Sequence, residues 1–140
     1  MTASDPPQFR FTVRVYWEDT DAGGVVFYAN YLKFFERART EWLRHLGFEQ
    51  QQLRLDTGAI FIVTDTAVRY LRPARLDDLL DVTVNVSEAA GATLTLAQQA
   101  WRHDADGSVM LTEGTIRIAC VDAGTFRPRR IPTPLMQNIR

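Results

Sequence analysis

The chain has 140 residues, the size of one ordinary domain and long enough to bury a core. Its composition, 46% hydrophobic and 24% charged, is that of a globular protein, and a net charge of −1 excludes the strong basic excess of a nucleic-acid binder. A single cysteine excludes an intrachain disulfide and a Cys-based zinc cluster, while the chain shows neither a signal pattern nor a run of transmembrane length. Residues 1–140 are therefore expected to form one domain located in the cytoplasm.

Residues 1–8 are read as a flexible lead-in. Phe9 to Trp17 then alternates, with Phe9, Phe11, Val13, Val15 and Trp17 on one face, as in a half-buried strand. From about Asn30 to Leu46 the period becomes helical: Tyr31, Phe34, Phe35, Ala38, Trp42 and Leu46 form a stripe that Leu32 and Leu43 widen. Asn30 is the expected N-cap and Gly47 the expected residue just past the helix end. Four further strands are expected over Ile60 to Tyr70, Leu79 to Glu88, Thr93 to Arg102 and Val109 to Val121. Ala89 to Ala92 and His103 to Ser108 read as hairpin turns, and Leu71 to Asp78 as a loop. Residues 122–140 read as a mostly irregular tail closing on a helical turn. Consecutive hairpins make an antiparallel sheet, and one face of it must cover the long helix, so the fold class is α+β.

Between the first strand and the helix lies Asp19-Thr20-Asp21-Ala22-Gly23-Gly24-Val25-Val26-Phe27. Taken alone, such a segment is an ordinary polar turn. Its sequel is an apolar run, as if lining a pocket, and its setting suits acyl transfer. A helix start carries unpaired N–H groups and partial positive charge, which suit a carbonyl oxygen becoming an oxyanion. A carboxylate such as Asp21 can attack the same carbonyl or activate water towards it. The glycine pair lets the backbone approach a ligand closely.

Other chemistries fit less well. None of Ser4, Ser87 and Ser108 sits in a nucleophile elbow, and no phosphate-binding glycine loop is present. His45 reads as a cation at a helix C-terminus and Cys120 as a buried thiol. Glu18, Asp19 and Asp21 have neither a nearby histidine nor calcium-loop spacing, so neither a metal nor a cofactor is expected.

Residues 19–26 with Tyr28, Asn30 and Tyr31, the run Phe35 to Glu41, the run Tyr70 to Asp78 and the run Cys120 to Asp122 together resemble the hotdog-fold acyl-CoA thioesterases. The resemblance is to the 4-hydroxybenzoyl-CoA thioesterase type, and more closely to the bacterial Tol–Pal-associated acyl-CoA thioesterases. It implies a hotdog fold, about five antiparallel strands around one long helix, in a homodimer or homotetramer with sites between subunits. It implies Asp21 as the catalytic carboxylate and the Tyr28 backbone N–H as the group polarising the thioester carbonyl. Many Tol–Pal-type members carry histidine at the position of Tyr28, whereas the hydroxybenzoyl type carries tyrosine; a backbone donor survives that exchange. Gly24, Val25, Tyr31 and Glu36 are the implied substrate-binding residues. Glu36 is read equally well as a helix residue paired with Arg37 or Arg39. Arg69, Arg72 and Arg75 are candidates for the CoA phosphates because the guanidinium fork matches phosphate. Trp17, Trp42 and Trp101 are expected in the core or at subunit contacts.

The implied activity is hydrolysis of an acyl-CoA to acid and CoA, with an acyl carrier protein as an alternative thioester donor. Two rivals remain. A hydratase of the same fold would pair Asp21 with a histidine five positions on, where this chain has Val26. A non-catalytic module would bind acyl-CoA or acyl carrier protein without turnover.

Overall fold

The computed structural model describes residues 7–139. Most of the lead-in expected to be flexible lies outside those residues. Gln8, at its end, is fixed: its N–H donates to Asn85 Oδ1 at 2.9 Å.

Strand β1 (Phe9–Arg14) opens the chain, followed by the long helix α1 (Asn30–His45) and a second helix α2 (Gln50–Thr57). Strands β2 (Ala59–Tyr70), β3 (Leu79–Ala90), β4 (Thr93–Asp104) and β5 (Gly107–Asp122) follow, and α3 (Thr133–Ile139) closes the chain. The strands form one antiparallel sheet in the order β1-β3-β4-β5-β2. All five lie where alternation predicts them, and β2 to β5 run past the expected bounds because backbone pairing continues there. Asp104 pairs with Gly107, so His103 belongs to β4 and not to the turn. Its ring bonds Ser108 and Asp81.

Three boundaries differ from the pattern. The first strand stops at Arg14, because the Tyr16 N–H donates to Asp19 Oδ2 at 2.8 Å and the chain folds into a 3₁₀ turn over Trp17–Asp19. A local side-chain bond thus replaces the sheet ladder, and Trp17 lies outside this chain's core, 81% exposed. Helix α2 carries no apolar stripe: Leu53 is buried but Leu55 is 68% exposed. The tail forms a longer helix than a single turn, burying Leu135 and Ile139 one turn apart.

The core is the interface of α1 with one sheet face. Tyr31, Phe34, Phe35, Ala38, Trp42 and Leu43 are buried there, as the helical stripe predicts, while Leu32 is 42% exposed. Opposite them lie Leu80, Val82 and Val84 of β3, Leu94 and Leu96 of β4, and Ile116 and Ile118 of β5. Each such side chain contributes about 1.5–3 kcal/mol of burial, enough to make this face the structural centre. Gln98, wholly buried, ties helix to sheet by donating to the Phe35 carbonyl at 3.0 Å while accepting from Arg39 Nη1 at 3.0 Å. The helix ends as expected at Gly47, with φ 97°, where the Gly47 N–H bonds the Arg44 carbonyl and the Phe48 N–H bonds the Leu43 carbonyl.

Gly114 of β5 is the point of closest approach. A Cβ there would stand 2.9 Å from Phe35 Cε2. Gly114→Val is therefore expected to destabilise the protein by about 1–3 kcal/mol in urea unfolding. An unchanged or raised midpoint would show that the Phe35 ring has room to yield.

Candidate active site

Residues 16–30 form a clamp built on Asp19. Its buried carboxylate accepts from the Tyr16 N–H and from Asn30 Nδ2, each at 2.8 Å, and its carbonyl accepts the Phe27 N–H at 2.9 Å. Asn30 is thus not the N-cap. Ala29 holds that position without a side-chain cap, and the Asn30 amide points back to the loop.

Between these anchors the chain makes a small hairpin. Thr20 and Val26 form a bridge, the Asp21 N–H bonds the Val25 carbonyl at 2.9 Å, and the Gly24 N–H bonds the Asp21 carbonyl at 3.1 Å. Gly24 has φ 81° with nothing near its missing Cβ, so glycine serves the backbone conformation here and not a tight contact. Asp21 sits exposed at the hairpin's start, with Oδ1 accepting the Gly23 N–H at 2.8 Å. That bond orients the carboxylate along the loop. The Val26 N–H bonds the Ala74 carbonyl at 2.9 Å, and Val25 bridges to Arg75, which docks the hairpin on the 71–78 loop.

Past the hairpin, the Asn30 N–H bonds the Phe27 carbonyl at 2.8 Å. Among the described residues, the Tyr28 and Ala29 N–H groups just before α1 have no hydrogen-bond acceptor. They are donors at the positive end of a 16-residue helix with no acidic side chain in its first turn. Beside them runs a groove of about 260 Å³ lined by Val26, Tyr28, Tyr31, Tyr70, Arg72 and Pro73. Its wall is aromatic: Tyr70 meets Tyr28 edge-on, with centroids 6.2 Å apart, and Tyr31 at 5.7 Å. The Tyr31 hydroxyl accepts the Ala74 N–H at 3.1 Å, and burial pushes its pKa up. Burial also raises that of Tyr70, followed by the neighbouring Tyr28 and Tyr31. These phenols remain protonated donors at neutral pH.

The described residues thus hold an exposed carboxylate on the hairpin, helix-start donors without an acceptor, and an aromatic groove beside those donors. The sequence profile of the Thioesterase-like superfamily matches residues 15–139. The chain belongs to that superfamily. Over 124 residues it is 50% identical to the acyl-CoA thioesterase YbgC of Haemophilus influenzae, covering 89% of this chain and 88% of that protein. Over 132 residues it is 41% identical to the acyl-CoA thioester hydrolase YbgC of Escherichia coli O6:H1, covering 94% and 96%. A solved mutant 4-hydroxybenzoyl-CoA thioesterase, complexed with 4-hydroxybenzoyl-CoA, matches with a TM-score of 0.86 and 16% identity over 94% of this chain and 97% of that one. That likeness bears on the fold alone. The hotdog fold expected from the motifs is the fold found.

In this thioesterase-like chain the remaining predicted residues divide. Asp21, Gly24 and Val25 share the hairpin, while Tyr28, Tyr31 and Arg72 share the groove. Arg75 lies exposed beside Val25. Arg69 faces away from this groove: it lines a separate depression and pairs with Glu113 at 3.3 Å. Glu36 is exposed on α1 and accepts from the Thr40 hydroxyl at 3.1 Å; among the described residues it forms no ion pair with Arg37 or Arg39. Trp42 is buried, as expected, and Trp101 is half-buried with its indole N–H on Gln99. Two residues escaped sequence reasoning. In the sequence Asp19 reads as one more carboxylate beside Asp21, although its partner Asn30 stands at the helix start, and Tyr70 reads only as part of a motif. Among the described residues, no group of three or more His, Cys, Asp or Glu is arranged to hold a metal ion.

Asn30→Ala leaves the buried Asp19 carboxylate one donor short and is expected to cost about 1–3 kcal/mol in urea unfolding. A loss below about 0.5 kcal/mol, the range of a neutral surface change, would contradict the clamp. Cys120 is wholly buried, and burial pushes its thiol pKa up, so a disulfide reagent is expected to label it only after unfolding. Full labelling of the folded protein within minutes would contradict that burial.

Proposed function

We propose that the protein is an acyl-CoA thioesterase, hydrolysing the thioester to a carboxylic acid and CoA. The observation that carries the reading is the placement of Asp21 on a glycine hairpin leading to the unpaired Tyr28 and Ala29 N–H groups at the start of α1. Membership of the superfamily and the relatives at 50% and 41% identity, an acyl-CoA thioesterase and an acyl-CoA thioester hydrolase, support it.

The thioester carbonyl enters the groove with its oxygen towards those N–H groups. Asp21 then acts on the carbonyl carbon in one of two ways. As nucleophile, it forms a mixed anhydride, the C–S bond breaks with CoA leaving as thiolate, and water hydrolyses the anhydride. As base, it takes a proton from the water that attacks directly. In both, negative charge grows on the carbonyl oxygen, where prepositioned donors count most. One turnover in ¹⁸O-water detects the anhydride route when water attacks the Asp21 carboxyl carbon, because only that attack places the label in Asp21.

Gly24 and Val25 shape the entry, and the Tyr31 ring packs against the acyl group. Arg72 on the groove wall and Arg75 beside the hairpin suit the CoA phosphates. Arg69 is the weakest of the three candidates because Glu113 already engages it. Glu36 offers a polar contact for the distal end of the acyl group. A second copy of the chain completes the site in this reading. The supporting observation is β2, an edge strand of 12 residues with Ile62 and Val63 exposed.

Asp21→Asn is expected to lower kcat by about 10²–10⁴-fold in a thiol-release assay with acyl-CoA substrates, at an unchanged unfolding midpoint. Turnover within a few-fold of wild type would sink the assignment of Asp21.

A further inference from the structure

Tyr70 ends β2 and reaches across the groove to the loop. Its hydroxyl donates to the Tyr28 carbonyl at 2.9 Å, while its ring stands against those of Tyr28 and Tyr31. The strand end that carries it is fixed in turn: the Leu71 and Arg72 N–H groups both donate to the Leu111 carbonyl, at 2.8 and 3.1 Å.

Tyr28 needs such an anchor. Its residue is 64% exposed, so side-chain packing does little to hold it. Two hydrogen bonds hold its backbone instead. The peptide before it is fixed by the Asn30 N–H on the Phe27 carbonyl, and the peptide after it by Tyr70 on its own carbonyl. A peptide group is planar, so fixing its carbonyl direction fixes its N–H direction as well. The pair of bonds therefore aims the Tyr28 and Ala29 N–H groups. A bond accepted by a carbonyl also strengthens the donor on the same peptide, which here is the Ala29 N–H.

We propose that Tyr70 is a positioning residue for thioester hydrolysis, its hydroxyl locking the Tyr28 peptide so that the helix-start N–H groups face the thioester oxygen. The inference rests on the thioesterase reading above. It assigns to Tyr70 no contact with the reacting atoms. The raised pKa of the phenol, from burial and from its two tyrosine neighbours, agrees with a donor that stays protonated at neutral pH.

Tyr70→Phe keeps the ring and deletes the one bond. Loss of a typical hydrogen bond corresponds to a fall in kcat of about three- to tenfold, with KM within about twofold of wild type and an unchanged pH profile. Tyr70→Leu, which also removes the ring from the groove wall, is expected to raise KM in addition. A purely structural role would leave kcat unchanged and move only the unfolding midpoint. A second readout does not need turnover: in ¹⁵N-labelled protein, Tyr70→Phe is expected to displace the Tyr28 and Ala29 amide signals and leave those of β3 and β4 in place. An unchanged kcat, a rise in KM alone, or unmoved amide signals would overturn the proposal. A wild type that hydrolyses no acyl-CoA would overturn the thioesterase reading and with it the catalytic half of this one. The amide signals report the positioning half separately.

Discussion

The Asp19 carboxylate is the constraint on which the site depends. A buried carboxylate has lost its water and must be hydrogen-bonded by the protein, so its two bonds, to the Tyr16 N–H and the Asn30 amide, are obligatory. The first ends β1 and turns the chain away from the sheet. The second attaches the loop to the start of α1, a helix fixed by Phe34 and Phe35 in the core. What lies between the two anchors is thereby held against the most rigid part of the molecule. Asp21 and the helix-start donors inherit that rigidity without being buried themselves. Such a division of labour lets a side chain stay accessible while its backbone is set from beneath.

The groove follows from the same geometry. The hairpin of residues 20–26 docks on the 71–78 loop through Val26 and Val25, and β2 delivers Tyr70 to the opposite wall. Three tyrosines line the cleft, and two of them use their hydroxyls on the backbone: Tyr31 accepts from Ala74, and Tyr70 donates to Tyr28. An apolar surface with few, directed polar groups is what an acyl chain next to a polar thioester requires. The helix-start N–H groups lie beside the cleft, without an acceptor among the described residues where most backbone donors are paired.

Much of this was legible in the sequence because it rests on periodicity. The strands and α1 follow the alternation and the helical stripe, since those patterns are the burial they produce. The Asp–Gly–Gly turn and the apolar run after it point to a candidate site because glycine and carboxylate have local meanings. What escaped depends on partners distant along the chain. Asn30 looks like an N-cap until Asp19 is seen to hold its amide. Trp17 continues the alternation of β1 until the Asp19 bond to Tyr16 breaks the strand. Helix α2 has no stripe to read, since only Leu53 of its residues is buried. The role of Tyr70 depends on a contact with a residue 42 positions away, which no local pattern encodes. The arginines show the same limit: Arg69 and Arg72 are three residues apart, yet they line different depressions.

The central claim is that a thioester carbonyl binds between Asp21 and the N–H groups at the start of α1. Its most direct test is titration of ¹⁵N-labelled protein with a non-hydrolysable acyl-CoA analogue, in which a ketone replaces the thioester, followed by amide NMR. The expected result is saturable binding with the largest downfield shifts at Tyr28 or Ala29 and accompanying changes at Gly23 and Gly24. Saturable binding whose largest shifts lie elsewhere, with the signals of residues 21–29 unmoved, would contradict the account.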